Sequence, residues 1–217
     1  MRINTNAILA LIAATAAGTL AFFASANADD NDGLDLTPAF TAEAVFAGGC
    51  FWCVESDFDK VEGVVETVSG YTGGSLNNPT YKQVSNEDTG HYEAVKIVYN
   101  PEKVTYSELV EYFWRHVDPT DDGGQFCDRG FSYKTAIFVG SDEERNIATT
   151  SKSTIDESGV LDAPIVTPIL GAATFWPAEG YHQDYYEKNP LRYNYYRQAC
   201  GRDKTVKKVW AKEKASN

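Results

Sequence analysis

Cys50 and Cys53 stand three residues apart in Gly48-Gly49-Cys50-Phe51-Trp52-Cys53, directly after the short apolar run Ala44-Val45-Phe46-Ala47. Two glycines let the backbone turn sharply, so this spacing predicts Cys50 at the N-terminus of a helix. Free N–H groups and the dipole at that end favour an anion, a setting that acidifies a thiol. The thiolate is the reactive form of cysteine, which makes Cys50 the candidate nucleophile. Phe51 and Trp52 beside it would supply an apolar wall. A merely structural cysteine needs neither the glycine pair before it nor two large aromatics after it. Cys53 completes a C-x-x-C, which has three readings: a disulfide-exchange pair, half of a zinc site, or a nucleophile with a local thiol partner. Zinc needs a second pair of ligands at short spacing. Cys127 and Cys200 are far apart, and His91, His116 and His182 stand singly, so no metal is expected.

Glu93 is the next residue with chemical content. In a strand over Glu93–Tyr99 it shares a face with Val95, Ile97 and Tyr99, while Lys96 points the other way. A carboxyl on an apolar face titrates high and can donate a proton near neutral pH. The alternative is a strand end, in water or paired with Arg129. Asp128-Arg129-Gly130 lies in a long loop, where site residues are common, though a surface ion pair explains it as simply. Tyr81 and Tyr133 can donate hydrogen bonds, but in a chain with 13 tyrosines each reads first as a core residue. The three histidines read as structural.

These residues must be positioned by a mixture of helices and strands. A helix is expected from about Cys50 to Lys60, with Phe51, Val54 and Phe58 at helical spacing. Strands are expected over Ala44–Ala47, Val64–Tyr71, Glu93–Tyr99 and Lys134–Val139. Tyr71–Pro79 and Asp118–Ser132 read as loops. Thr105 and Glu108 form a capping box for a helix running to His116. Asp142–Glu157 is a polar helix. Ile165–Leu170 is interrupted by Pro168 and reads at best as an edge strand. Gly180–Tyr196 is aromatic-rich and mostly helical. Interspersed strands and helices predict a mixed α/β or α+β domain.

The chain has 217 residues and 43% hydrophobic content, enough for one well-formed core. Its net charge of −12 argues against nucleic acid, which needs a basic face. Arg2, the apolar run Ala7–Phe23 and the small-x-small Ala26-Asn27-Ala28 read as a secretory signal peptide over 1–28. Residues 29–42 then form an exposed leader, 43–200 a catalytic domain and 201–217 a polar tail. Export to the periplasm or beyond is the expected location, without stable membrane insertion after cleavage.

Six stretches, in order, carry a resemblance to a known family. Gly49-Cys50-Phe51-Trp52 resembles the signature of the A-type peptide methionine sulfoxide reductases. Val68-Ser69-Gly70-Tyr71 with Gly73-Gly74, Asn78-Pro79-Thr80-Tyr81, and Thr89-Gly90-His91-Tyr92-Glu93-Ala94-Val95 match further family patterns. So do Asp118-Pro119-Thr120 with Asp128-Arg129-Gly130 and Tyr133, and Phe175-Trp176-Pro177-Ala178-Glu179 with Tyr181-His182-Gln183. The resemblance implies a two-layer α/β sandwich with a ferredoxin-like core that reduces the S epimer of methionine sulfoxide, free or in proteins. By position, Cys50 would attack the sulfoxide sulfur and Glu93 would protonate the departing oxygen. Tyr81 and Tyr133 would assist by hydrogen bonding, Asp128 would support the polar network, and Phe51 and Trp52 would hold the substrate methyl group. The resulting Cys50 sulfenic acid would be resolved by a second thiol, Cys200 first and Cys53 second. An external thioredoxin-type dithiol would then reduce the disulfide, with no bound cofactor and the protein acting as a monomer. Many family members have Gly where this chain has Cys53. The competing reading is a thiol–disulfide oxidoreductase using Cys50–Cys53, although no Pro placed to face such a pair is evident. A third is a thiol-stapled binding module with no acidic thiol.

Overall fold

The computed structural model describes residues 40–86 and 89–215. The expected signal peptide and all but the end of the leader lie outside the described residues. β1 (Ala42–Gly48) leads through the Gly48-Gly49 turn into α1 (Phe51–Phe58). β2 (Val64–Thr72), α2 (Tyr81–Asn86), β3 (Tyr92–Tyr99) and α3 (Tyr106–Trp114) follow. A two-residue hairpin, β4 (Gly124–Gln125) and β5 (Asp128–Arg129), interrupts what the composition suggested was only loop. Then come β6 (Thr135–Val139), α4 (Asp142–Ser158), β7 (Ile169–Gly171) and β8 (Trp176–Pro177). The chain closes with α5 (Tyr185–Lys188), α6 (Pro190–Cys200), α7 (Arg202–Val209) and α8 (Ala211–Ala215).

The main sheet runs β7-β6-β1-β3-β2-β8. Its four central strands, with α1 and α3 as connections, form a β-α-β-β-α-β unit whose strand pairs are antiparallel, the ferredoxin-like arrangement. Alternation along the strands decides what each face buries. Phe46, Val95, Ile97, Ile137 and Val139 point toward α1 and α3, where Phe51, Val54, Phe58, Leu109 and Phe113 complete the core. The opposite face carries a smaller cluster of Ala47, Tyr92, Ala94, Ala136 and Phe138. Thr105 caps α3 with the expected box, its hydroxyl accepting from Glu108 N–H and the Glu108 carboxyl accepting from Thr105 N–H.

The segment expected as a polar tail is instead two helices. Trp210 is 4% exposed and joins the main core, and Arg202 is 2% exposed. The basic composition of 201–217 concealed one aromatic anchor and one buried cation.

β8 brings the last third of the chain against β2, pairing Gly70 with Pro177 and Tyr71 with Trp176. A β-carbon at Gly70 would sit 2.4 Å from Phe175 Cζ and 2.5 Å from the Trp176 carbonyl oxygen. The backbone oxygen has no way to move aside. Gly70→Ala will overpack this seam and lower the thermal midpoint by about 5 °C or more, read by calorimetry. An unchanged midpoint would mean that the seam yields freely.

Candidate active site

Gly49 makes the turn that puts Cys50 where the spacing predicts. Its φ of +85° favours glycine, and a β-carbon there would lie 2.6 Å from Gln125 Cβ. Cys50 is the N-cap residue of α1, with no side-chain capping bond of its own. One of the orphan N–H groups of the first turn, that of Phe51, donates to Glu93 Oε2 at 3.1 Å. Glu93 is 1% exposed, so of its two sequence readings the buried face is the one realised. It makes no pair with Arg129, which instead bonds Asp121 at 2.8 Å. Burial pushes the Glu93 carboxyl up to about 8, and the opposing Phe51 N–H bond does not offset it.

The helix N-terminus does not leave Cys50 acidic. Burial drives its thiol well above the ordinary range, and Cys53 and Glu93 push the same way, while hydrogen bonding with the Tyr196 hydroxyl opposes them. Desolvation outweighs the dipole because Cys50 is only 7% exposed. Cys53 is pulled down, first by its hydrogen bond with Cys50 and then, against burial, by the charges of Arg202 and Arg197. Of the two thiols, Cys50 is thus shifted away from the thiolate and Cys53 toward it.

Those arginines form a buried network beneath the pair. Arg197 Nη1 lies 2.9 Å from Asp57 Oδ1, and Arg202 Nε lies 3.5 Å from Asp57 Oδ2. Arg202 also donates to the carbonyls of Gly48 and His116. No sequence signal distinguished Asp57, Arg197 and Arg202 from surface charges.

The aromatic wall is present. The Phe51 ring centroid stands 4.9 Å from that of His182, 5.9 Å from Tyr71 and 6.3 Å from Tyr81. Trp52 stacks on Tyr185 at 3.8 Å, and its indole N–H donates to His182 Nδ1 at 3.0 Å. The acceptor role at Nδ1 requires the proton of neutral His182 on Nε2. Glu179 accepts from the Tyr71 hydroxyl and from Tyr81 N–H, each at 2.9 Å, which fixes the start of α2.

Tyr81 and Tyr133 both feel the Glu93 charge and hydrogen-bond each other, and burial raises both hydroxyls above the phenol range so that they stay protonated donors. Asp128 turns inward and accepts a short hydrogen bond from the Tyr196 hydroxyl. Sequence reasoning missed Tyr196 because nothing separates it from its twelve fellow tyrosines. Cys200, expected first as the resolving thiol, is disulfide-bonded to Cys127, and Cys50 and Cys53 are the free cysteines. Among the described residues the grouping of potential metal ligands is Cys127, Asp128 and Cys200, two of whose ligand atoms are already bonded to each other.

A proton-holding buried acid, two tyrosine donors and a thiol pair behind an aromatic wall define a thiol-dependent reductase of a small polar group on an apolar stem. Residues 42–214 match the family model described as Peptide methionine sulfoxide reductase. The chain is 54% identical over 178 residues to Peptide methionine sulfoxide reductase MsrA 2 of Rhizobium meliloti, covering 81% of this chain and 88% of that one. It is 46% identical over 196 residues to the MsrA/MsrB protein of Vibrio cholerae, covering 90% of this chain but only 52% of that longer one. Among solved structures it resembles methionine sulfoxide reductase A of Corynebacterium diphtheriae, with TM-score 0.63 and 33% identity over 71% of this chain and 78% of that one. The chain belongs to the peptide methionine sulfoxide reductase family, in its A-type branch, and is an oxidoreductase acting on methionine sulfoxide.

Proposed function

We propose that Cys50 reduces the S epimer of methionine sulfoxide with Glu93 as proton donor and Cys53 as resolving thiol. The observation that carries this reading is the Glu93 carboxyl, buried and bonded to the N–H of the residue that follows Cys50. A sulfoxide oxygen leaves poorly unless protonated, and a carboxyl titrating near 8 holds that proton at neutral pH. The Cys50 sulfur attacks the substrate sulfur, the S–O bond breaks, and oxygen passes to Cys50 as a sulfenic acid while methionine departs. The Cys50 thiol proton and the sulfoxide oxygen supply everything the sulfenic acid contains, so this step needs no other reagent. Cys53 sulfur then attacks Cys50 sulfur, water leaves and a disulfide forms. An external thioredoxin-type dithiol reduces it.

The Arg197–Asp57–Arg202 network supports Cys53 over Cys200 as the resolving thiol, because it favours thiolate at Cys53. Cys200 has its sulfur committed to Cys127. Phe51 and Trp52 hold the methyl group, and Asp128 orients Tyr196. The N-terminal apolar segment and Ala26-Asn27-Ala28 support export, with repair of oxidised envelope or extracellular proteins as the role.

The test uses separate S and R epimers of N-acetylmethionine sulfoxide with dithiothreitol. Turnover of the S epimer alone, lost in Cys50→Ser, is the expected result. With dithiothreitol omitted, Cys53→Ser will release one methionine per protein and accumulate a sulfenic acid that a cyclic diketone traps. If Cys53→Ser still forms an intramolecular disulfide from Cys50 at the wild-type rate, Cys200 is the resolving residue.

A further inference from the structure

The Cys127–Cys200 disulfide takes no part in the chemistry proposed above, yet both of its ends lie against the site. Cys127 is exposed at the tip of the β4–β5 hairpin, and Asp128 is the next residue. Cys200 ends α6, one helical turn after Tyr196. The disulfide joins these two segments across 73 residues of sequence. Between them runs the short hydrogen bond from the Tyr196 hydroxyl to Asp128 Oδ2, and Cys200 Sγ lies 3.9 Å from that same oxygen. The Tyr196 ring stands edge-on to Trp52 at 5.9 Å.

The two flanks are held unequally without the disulfide. α6 is tied to α1 through Arg197 and Asp57. The hairpin has two-residue strands, and Phe126 at its tip adopts φ +56°. Its other attachments include Gln125 to the Asp118 backbone, Arg129 to Asp121 at 2.8 Å, and Phe126, whose ring lies under Arg202 at 4.9 Å. The covalent link is what fixes the Cys127–Asp128 side of the hairpin to α6.

We propose that Cys127 and Cys200 are positioning residues for the known reaction: their disulfide staples the Asp128 hairpin to α6 and thereby holds the hydrogen-bonded Asp128–Tyr196 pair in place against Trp52 of the aromatic wall. Because Cys127 is exposed, an external dithiol or phosphine can open the staple, forming two thiols at the reductant's expense, without first reaching the buried Cys50. Opening loosens the hairpin from α6, so Asp128 no longer orients Tyr196 and Trp52 loses the fixed ring packed edge-on against it.

This inference rests on Cys50 as the nucleophile. Its test is single-turnover methionine formation without added reductant, starting from protein with Cys50 and Cys53 reduced and the staple intact. Cys127→Ser/Cys200→Ser will slow methionine formation about tenfold at saturating S sulfoxide, the scale of one lost hydrogen bond to a charged group, with half-saturation changed less than twofold. Tyr196→Phe will give the same loss, and adding it to the double variant will give no more. Wild-type protein whose staple has been opened by a phosphine, then removed, will match the double variant and covers the case in which that variant folds poorly. Unchanged rate with the staple open, or losses that multiply, would overturn the proposal. No methionine from any protein, wild type included, would instead overturn the role of Cys50.

Discussion

Glu93→Gln will cut methionine formation by about 10²–10⁴-fold, the range for losing a positioned general acid. The amide keeps an oxygen to accept from Phe51 N–H, so α1 should keep its start and Cys50 its place. The pH dependence gives the sharper test. With Glu93 as the proton donor proposed above, wild-type activity is expected to hold at lower pH and decline as pH rises through about 8. In the variant that descending limb disappears along with the rate. A variant within twofold of wild type, or one that keeps the limb, would remove Glu93 from the reaction. Stability follows the same sign. A carboxyl whose folded value is raised from the ordinary 4.5 to about 8 binds a proton in the folded state that the unfolded chain has released. Glu55, pushed by burial up to about 7, acts alike. Both contribute fully below the ordinary carboxylate range, and their contribution is lost as pH rises through 7 to 8.

Asp57→Ala will destabilise the fold by about 3–5 kcal/mol, the cost of leaving a buried cation without its partner. Arg197 retains Asp203, bonded at 2.6 Å. Arg202, whose side chain is 3% exposed, retains two backbone carbonyls and the Phe126 ring but no counter-charge among these contacts. The measurement is urea unfolding, with a lower midpoint and an unchanged slope expected. A loss below about 1 kcal/mol would mean that water reaches Arg202. Activity should also fall, because Arg202 and Arg197 both acidify Cys53 and Asp57 sets where they stand.

The strands around the nucleophile were legible because period-two patterning and burial agree in them. Glu93, Val95, Ile97 and Tyr99 share the helix-facing side of β3, as the alternation predicts. The Gly48-Gly49 turn and the position of Cys50 were legible from local chemistry alone. Its acidity was not, because the dipole is a local property and desolvation is a tertiary one. The thiol pairing was hidden for the same reason: spacing along the chain says nothing of the hairpin tip that brings Cys127 to Cys200. Arg202 and Trp210 sit in a stretch whose composition is basic and polar, and their burial depends on elements far earlier in the sequence. Asp128 read as half of a surface pair; that pair exists, but between Arg129 and Asp121, and Asp128 is free to turn inward.

The strand order also sets a timetable. β1 lies in the middle of the sheet, yet it is the first element in the described chain, and its neighbours β3 and β6 are made later. The helix that packs Tyr193 against Cys53 comes later still. A polypeptide emerging N-terminus first thus carries its reactive thiols uncovered for most of its synthesis, waiting on long-range pairings that form slowly. Four cysteines allow three complete pairings, and two of them join the nucleophile to the hairpin or to α6. A thiol three residues away meets Cys50 far sooner than one seventy residues downstream, since closing a small ring costs less entropy. Until α6 arrives, Cys53 is therefore the thiol that Cys50 meets most readily in the growing chain.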